Sequence, residues 1–166
     1  SGMHFVGGAE RLMTDLALGL ADEETHVDLV TGVCHDLWRS LLSQKSSNIS
    51  IKELGQPASG NLRFWLNVGG FAKALSILIS AETDVILTSN FPSSLVAQSF
   101  NRTHHTLVVH YIHDAPITLL DKEGIKAYPL KLRLFFHVMR AFYGRQEIKA
   151  VQEGDLVLAS SQMSKK

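Results

Sequence analysis

The sequence predicts a doubly wound α/β fold with a parallel sheet, on three observations. Short β-branched runs alternate with segments of helical period along the whole chain. Several of those runs are apolar almost without a break, as in strands covered on both faces. A glycine pair, Gly7-Gly8, immediately precedes the first helical period, as in folds where a Gly-rich turn follows the first strand.

Taken in order, Ala9, Leu12, Met13, Leu16, Ala17 and Leu20 repeat at the helical period, so the first helix starts at the glycines. Val27-Asp28-Leu29-Val30-Thr31 then reads as a buried strand ending at Gly32. Residues 35–42 make a short amphipathic helix, 49–51 a brief strand, and Gln56-Pro57-Ala58-Ser59-Gly60 a loop by its punctuation. Val68, Phe71, Leu75, Leu78 and Ile79 mark a single long helix. A strand over 84–88, a helix over 93–99 and a second, nearly all-apolar strand over 106–111 follow. A helical region over about 127–151, with a break expected at Gly144, leads to a last strand over 156–159. Only residues 1–6 precede the glycine turn, so the first strand of the pattern is absent. In the commonest doubly wound orders that strand is central, and its loss leaves two strands with unpaired edges. The expectation is either a substitute strand or a piece of a longer protein, organised as one domain over 1–166.

Formal net charge is zero over 166 residues, which provides no global field for nucleic acid phosphates, and no nucleic acid partner is expected. Cys34 is the single cysteine, so no internal disulfide forms and no Cys/His cluster has metal-ligand spacing. No basic segment followed by an apolar one opens the chain. Its most apolar stretch, 64–79, follows Arg63 and is interrupted by Asn67 and Lys73, short of the ~18 residues a membrane span needs. These features lead to the expectation of a soluble, cytoplasmic chain.

Two segments carry candidate chemistry. Gly7-Gly8-Ala9-Glu10-Arg11 allows close backbone approach, and the first amides of the helix it opens suit a phosphate or sugar hydroxyl. Spacing alone leaves open a tight turn that merely permits helix packing. His110-Tyr111-Ile112-His113-Asp114-Ala115-Pro116 ends an apolar strand with polar groups and a proline stop. His113 at that edge suits hydroxyl or phosphate binding, or proton transfer near neutral pH; a loop histidine fixed by backbone bonds is the competing reading. His110 shares a strand face with Ile112 and not with His113. His104-His105 reads as a solvated pair in the preceding turn.

Four elements in order carry a likeness to a known family: residues 6–12 opening a helix; Thr88-Ser89-Asn90-Phe91-Pro92-Ser93-Ser94; Tyr111-Ile112-His113-Asp114-Ala115-Pro116; and Asp155-Leu156-Val157-Leu158-Ala159-Ser160-Ser161-Gln162. On these the chain resembles the amino-terminal half of glycosyltransferase family 4, retaining enzymes of the GT-B fold, especially its mannosyltransferase branch. The variable middle, 41–65, lies outside the likeness. The resemblance implies a cleft between two Rossmann-like domains, with the acceptor held by this half and the nucleotide-sugar mainly by the other. It places Gly7 and Gly8 beside the donor phosphates, with Glu10 in the same loop, and His113 facing the transferred sugar. Asn90 and Asp114 become candidate acceptor contacts, although Asp114 and Glu10 suit local capping equally well. The family's paired glutamates belong to the other domain. No metal and no cofactor are implied, the nucleotide-sugar being a co-substrate, and this half alone is expected to be inactive. The usual Asn-Ser after the last strand reads Ser160-Ser161 here.

Residues 122–149 hold seven Lys or Arg against two Glu, interleaved with aromatic and leucine residues. That composition suits peripheral contact with an anionic membrane carrying a lipid-linked acceptor, and equally an ordinary helix with a solvated basic face. A non-catalytic α/β binding module is the alternative to a transferase. A dinucleotide dehydrogenase is disfavoured, because Gly7-Gly8 does not extend to GxGxxG.

Overall fold

The computed structural model describes residues 8–56, 62–89, 92–112, 125–126 and 128–159. The chain divides into two compact units, Ser1–Glu82 and Thr83–Lys166, and both are α/β with parallel strands.

In the first unit, helix α1 spans Gly8–Leu20 and strand β1 Val27–Thr31. Helix α2 spans Asp36–Lys45 and strand β2 Ile49–Glu53. Thr14 is fully buried mid-helix because its hydroxyl donates back to the Glu10 carbonyl at 2.9 Å, which satisfies it without leaving α1. His35 caps α2, its Nδ1 accepting from the Leu37 amide at 3.2 Å. Trp38 and Leu42, one turn apart, then face the same way and close with Cys34 over Leu29, Ile49 and Ile51. β1 pairs with β2 in parallel from Val27 opposite Ile49 to Thr31 opposite Glu53. The strand runs two residues past its expected end and stops before Gly55, whose φ of 72° is the left-handed conformation that glycine adopts without a Cβ penalty.

The long helix expected from Val68 to Ile79 is instead a pair, α3 (Leu62–Leu66) and α4 (Val68–Ser76). Asn67 breaks the helical path with φ −118° and ψ 19°, while Phe64 and Phe71 meet edge to face across the break at 5.1 Å. At the far end the Ser76 hydroxyl bonds back to the Lys73 carbonyl, and the Leu78 and Ile79 amides form three-residue turns. Ile77 is left exposed, so the apolar period outlasts the helix.

In the second unit, β3 (Val85–Thr88), α5 (Ser93–Asn101), β4 (Leu107–Ile112), α6 (Leu130–Gln152) and β5 (Leu156–Ala159) give a parallel sheet ordered β3-β4-β5. Asn101 fixes the turn into β4 by donating to the Thr106 carbonyl at 2.7 Å and accepting from the Thr106 amide at 3.3 Å. Asp155 starts β5 in the same manner, since its carboxylate takes the Val108 amide at 2.8 Å and its own amide reaches the Val108 carbonyl. α6 runs through Gly144 without a break. The expectation of strands covered on both faces holds for one face only. Ile86, Thr88, Val108, His110 and Ile112 are buried, whereas Val85, Leu107 and Leu156 are about half exposed.

Among the described residues α1 is the first element and no strand precedes it. Pairing accordingly stops between the second and third strands, where a missing central strand would interrupt it: β1 pairs only with β2, and β3 only with β4.

Candidate functional site

Parallel pairing brings the carboxyl ends of β3, β4 and β5 to one edge of the second unit, at Thr88, Ile112 and Ala159. The described residues continuing from β3 are polar. Ser89 is buried, and its carbonyl accepts from the Ser93 hydroxyl at 2.8 Å, which ties the start of α5 to the end of the strand. Ser94, in the first turn of α5, is 2% exposed, and its hydroxyl has no hydrogen-bond partner. A buried hydroxyl without a partner costs on the order of 1–3 kcal/mol, and it lies where a ligand-binding edge is expected. Sequence reasoning included Ser94 in a motif but gave it no role, because no pattern in the chain reveals an unsatisfied atom.

His110 sits one step behind this edge. Its Nε2 lies 3.1 Å from the Ala150 carbonyl and its Nδ1 2.6 Å from the Thr88 hydroxyl. A carbonyl only accepts, so Nε2 carries the proton and Nδ1 accepts from Thr88. Burial lowers the His110 pKa; the Ala150 bond and the Asp155 charge oppose that only in part. A neutral ring with both nitrogens engaged is a structural pin. It fixes β4 to β3 and α6 just before the chain passes Ile112 toward His113. The pin could have been anticipated from Thr88 and His110 as polar residues ending two apolar strands, but their register was not legible.

Of the sequence candidates, Gly8 opens α1 and Glu10 lies in its first turn, where the leading amides have no intrahelical acceptor. Gly7, Asn90, His113 and Asp114 lie outside the described residues. Chain continuity puts Asn90 two residues after β3 and His113 directly after β4. His105 is exposed, as a solvated residue should be, whereas His104 stacks on Phe100 at 4.1 Å with its Nδ1 near the Phe100 carbonyl. Among the described residues no group of three or more His, Cys, Asp or Glu is placed to hold a metal ion. An open cleft of about 440 Å³, lined by Gln98, Asn101, Arg102, Lys149 and Glu153, lies at the opposite, amino end of the strands and is separate from this edge.

Residues 6–166 match the family model of Glycosyltransferase Family 4. The chain belongs to glycosyltransferase family 4. No curated protein and no solved structure matches it. Family 4 membership makes this a glycosyltransferase-type domain of Rossmann-like α/β fold, with a nucleotide-sugar donor and a glycan acceptor as its general substrates. Three of the four family 4 motifs contain or follow a strand of the second unit, and the other opens α1.

Proposed function

We propose that this chain is the acceptor-binding half of a retaining hexosyltransferase that moves a sugar, with mannose the first to test, from a nucleotide-sugar to a lipid-linked or polysaccharide acceptor on the cytoplasmic side. The observation that carries the reading is the polar edge at the carboxyl ends of β3 and β4, which coincides with two family 4 motifs. Departure of a nucleoside diphosphate builds negative charge on phosphate oxygen. Backbone amides at the start of α1, reached closely because Gly7 and Gly8 lack side chains, suit that charge without metal or cofactor. Glu10 in the same turn suits a sugar hydroxyl. His113, next after β4, faces the transferred sugar, and Asn90 and Asp114 hold the acceptor. The donor nucleotide is held mainly by a second domain, so residues 1–166 alone are inactive.

Transfer from a panel of labelled nucleotide-sugars to lipid and polysaccharide acceptors, with the full-length protein, tests this. His113→Ala should lower kcat at least a hundredfold, on the scale of a lost proton-transfer or electrostatic group, with the circular dichroism spectrum retained. Undiminished transfer removes His113 from the mechanism. No transfer from any donor turns the reading to a non-catalytic binding module.

A further inference from the structure

α6 presents apolar side chains where a solvated helix has none. Leu130, Leu134, Val138 and Phe142 follow one another at four-residue spacing and are 79%, 66%, 38% and 70% exposed. Such spacing keeps them on one face, in a row about 18 Å long. Single exposed apolar residues are ordinary, but a continuous row marks an interaction surface. Exposed Lys131 begins the row, and Arg145 and Lys149 extend it at spacings of three and four. The only acid within α6 is Glu147, which is 4% exposed and so lies away from this face. Glu153, just past the helix, pairs with Lys149 at 3.5 Å, which leaves Lys131 and Arg145 as the cations that define the surface. An ordinary helix with a core-facing apolar side and a purely basic solvated side does not have this arrangement.

We propose that this face of α6 docks in the plane of a membrane surface bearing anionic lipid headgroups. Leu130, Leu134, Val138 and Phe142 enter the boundary between headgroups and acyl chains. The stems of Lys131 and Arg145 lie along the same boundary and bring their charges to the phosphates. Charge complementarity selects the occupant: the face carries cations and no exposed acid, whereas protein interface cores are depleted of lysine. No helix among the described residues is long and apolar enough to cross a membrane, so the contact is peripheral. The inference is independent of the transferase reading, because it concerns a face of α6 and not the strand edge.

The test is co-sedimentation of the full-length protein with vesicles of phosphatidylcholine, with and without about one-third phosphatidylglycerol. Binding to the anionic vesicles should be at least tenfold tighter at low salt and weaken as salt rises. The pair Lys131→Gln and Arg145→Gln should weaken it by on the order of tenfold. Leu134→Asp with Phe142→Asp should reduce it at least as much, while Ile77→Asp, an equally exposed apolar position outside α6, should leave it unchanged. All these positions are exposed, and circular dichroism verifies that each variant folds. Equal binding to both vesicles, no binding, or full binding by the Leu134/Phe142 variant overturns the proposal. A dimer that the Leu134/Phe142 variant abolishes, without vesicle binding, overturns it in favour of a second copy of the chain.

Discussion

The two units build parallel strands in the same way and fill the space beside them differently. In the first, α2 lays Cys34, Trp38 and Leu42 against β1 and β2, and the polar groups stay toward the rim, where Asp28 meets Lys52 and Arg39 meets Glu53. In the second, a polar pin is buried: His110 is 1% exposed between the Thr88 hydroxyl and the Ala150 carbonyl, with Gly154 against its ring. An apolar cluster loses stability roughly in proportion to the volume removed. A pin made of directed bonds fails abruptly, and it responds to pH.

The largest expected effect breaks the pin by crowding it. A Cβ on Gly154 would stand 2.3 Å from His110 Cδ2 and 2.5 Å from Nε2, with the Val151 carbonyl at 3.3 Å behind it. The ring has no room to retreat without giving up a bond. Gly154→Ala should therefore cost about 4 kcal/mol in urea unfolding, overpacking plus a lost buried hydrogen bond. A cost below about 1 kcal/mol would mean that the ring has somewhere to go and that the pin is not rigid. Leu42→Ala, the matching insult to the apolar cluster, should cost about 3 kcal/mol, and Leu42→Met less than about 1.5 kcal/mol. If Leu42→Met is as damaging as Leu42→Ala, shape and not volume governs that cluster, and the contrast between the units narrows.

That contrast was partly legible in the sequence. Alternating β-branched runs and helical periods placed nearly every element, and the absence of a strand before Gly8 anticipated where pairing stops. The long helix at 68–79 failed because periodicity reports which side is apolar and not where the backbone turns; Asn67 and Ser76 ended it through local bonds. Gly144 was overrated as a breaker, since one glycine costs a helix only ~1 kcal/mol and a long helix absorbs it. The site was legible as motifs at strand ends. Ser94 and the His110 pin were not, because a partner 22 or 40 residues away depends on register.

pH sharpens the comparison. His110 has its pKa depressed by burial, so the fold favours the neutral ring. Its contribution is complete above the unfolded value near 6.5 and is lost as pH falls toward and through the folded value. In the first unit, burial alone would raise the Asp28 pKa, but the bonds from Lys52 and Ser50 outweigh it and hold it below the usual carboxylate value. The stability Asp28 contributes is present above about pH 4 and lost only in stronger acid. The second unit should therefore weaken first on acidification. His110→Gln, which keeps a donor and an acceptor but cannot charge, should cost about 1–2 kcal/mol at pH 8 and flatten the slope of stability between pH 7 and 5. An unchanged slope would assign the titration to another histidine.

The smallest effect concerns the rim. Lys52 donates to Asp28 at 2.5 Å, with the two side chains 33% and 21% exposed. A pair open to solvent is worth little, and Lys52→Met should cost only about 0.5 kcal/mol at neutral pH. Its signature lies elsewhere. Without the ammonium, burial raises the Asp28 pKa against the Ser50 bond alone, so the acid limb of the stability curve should move to higher pH while the His110 limb stays in place. Movement of both limbs together would show that the two units do not titrate independently.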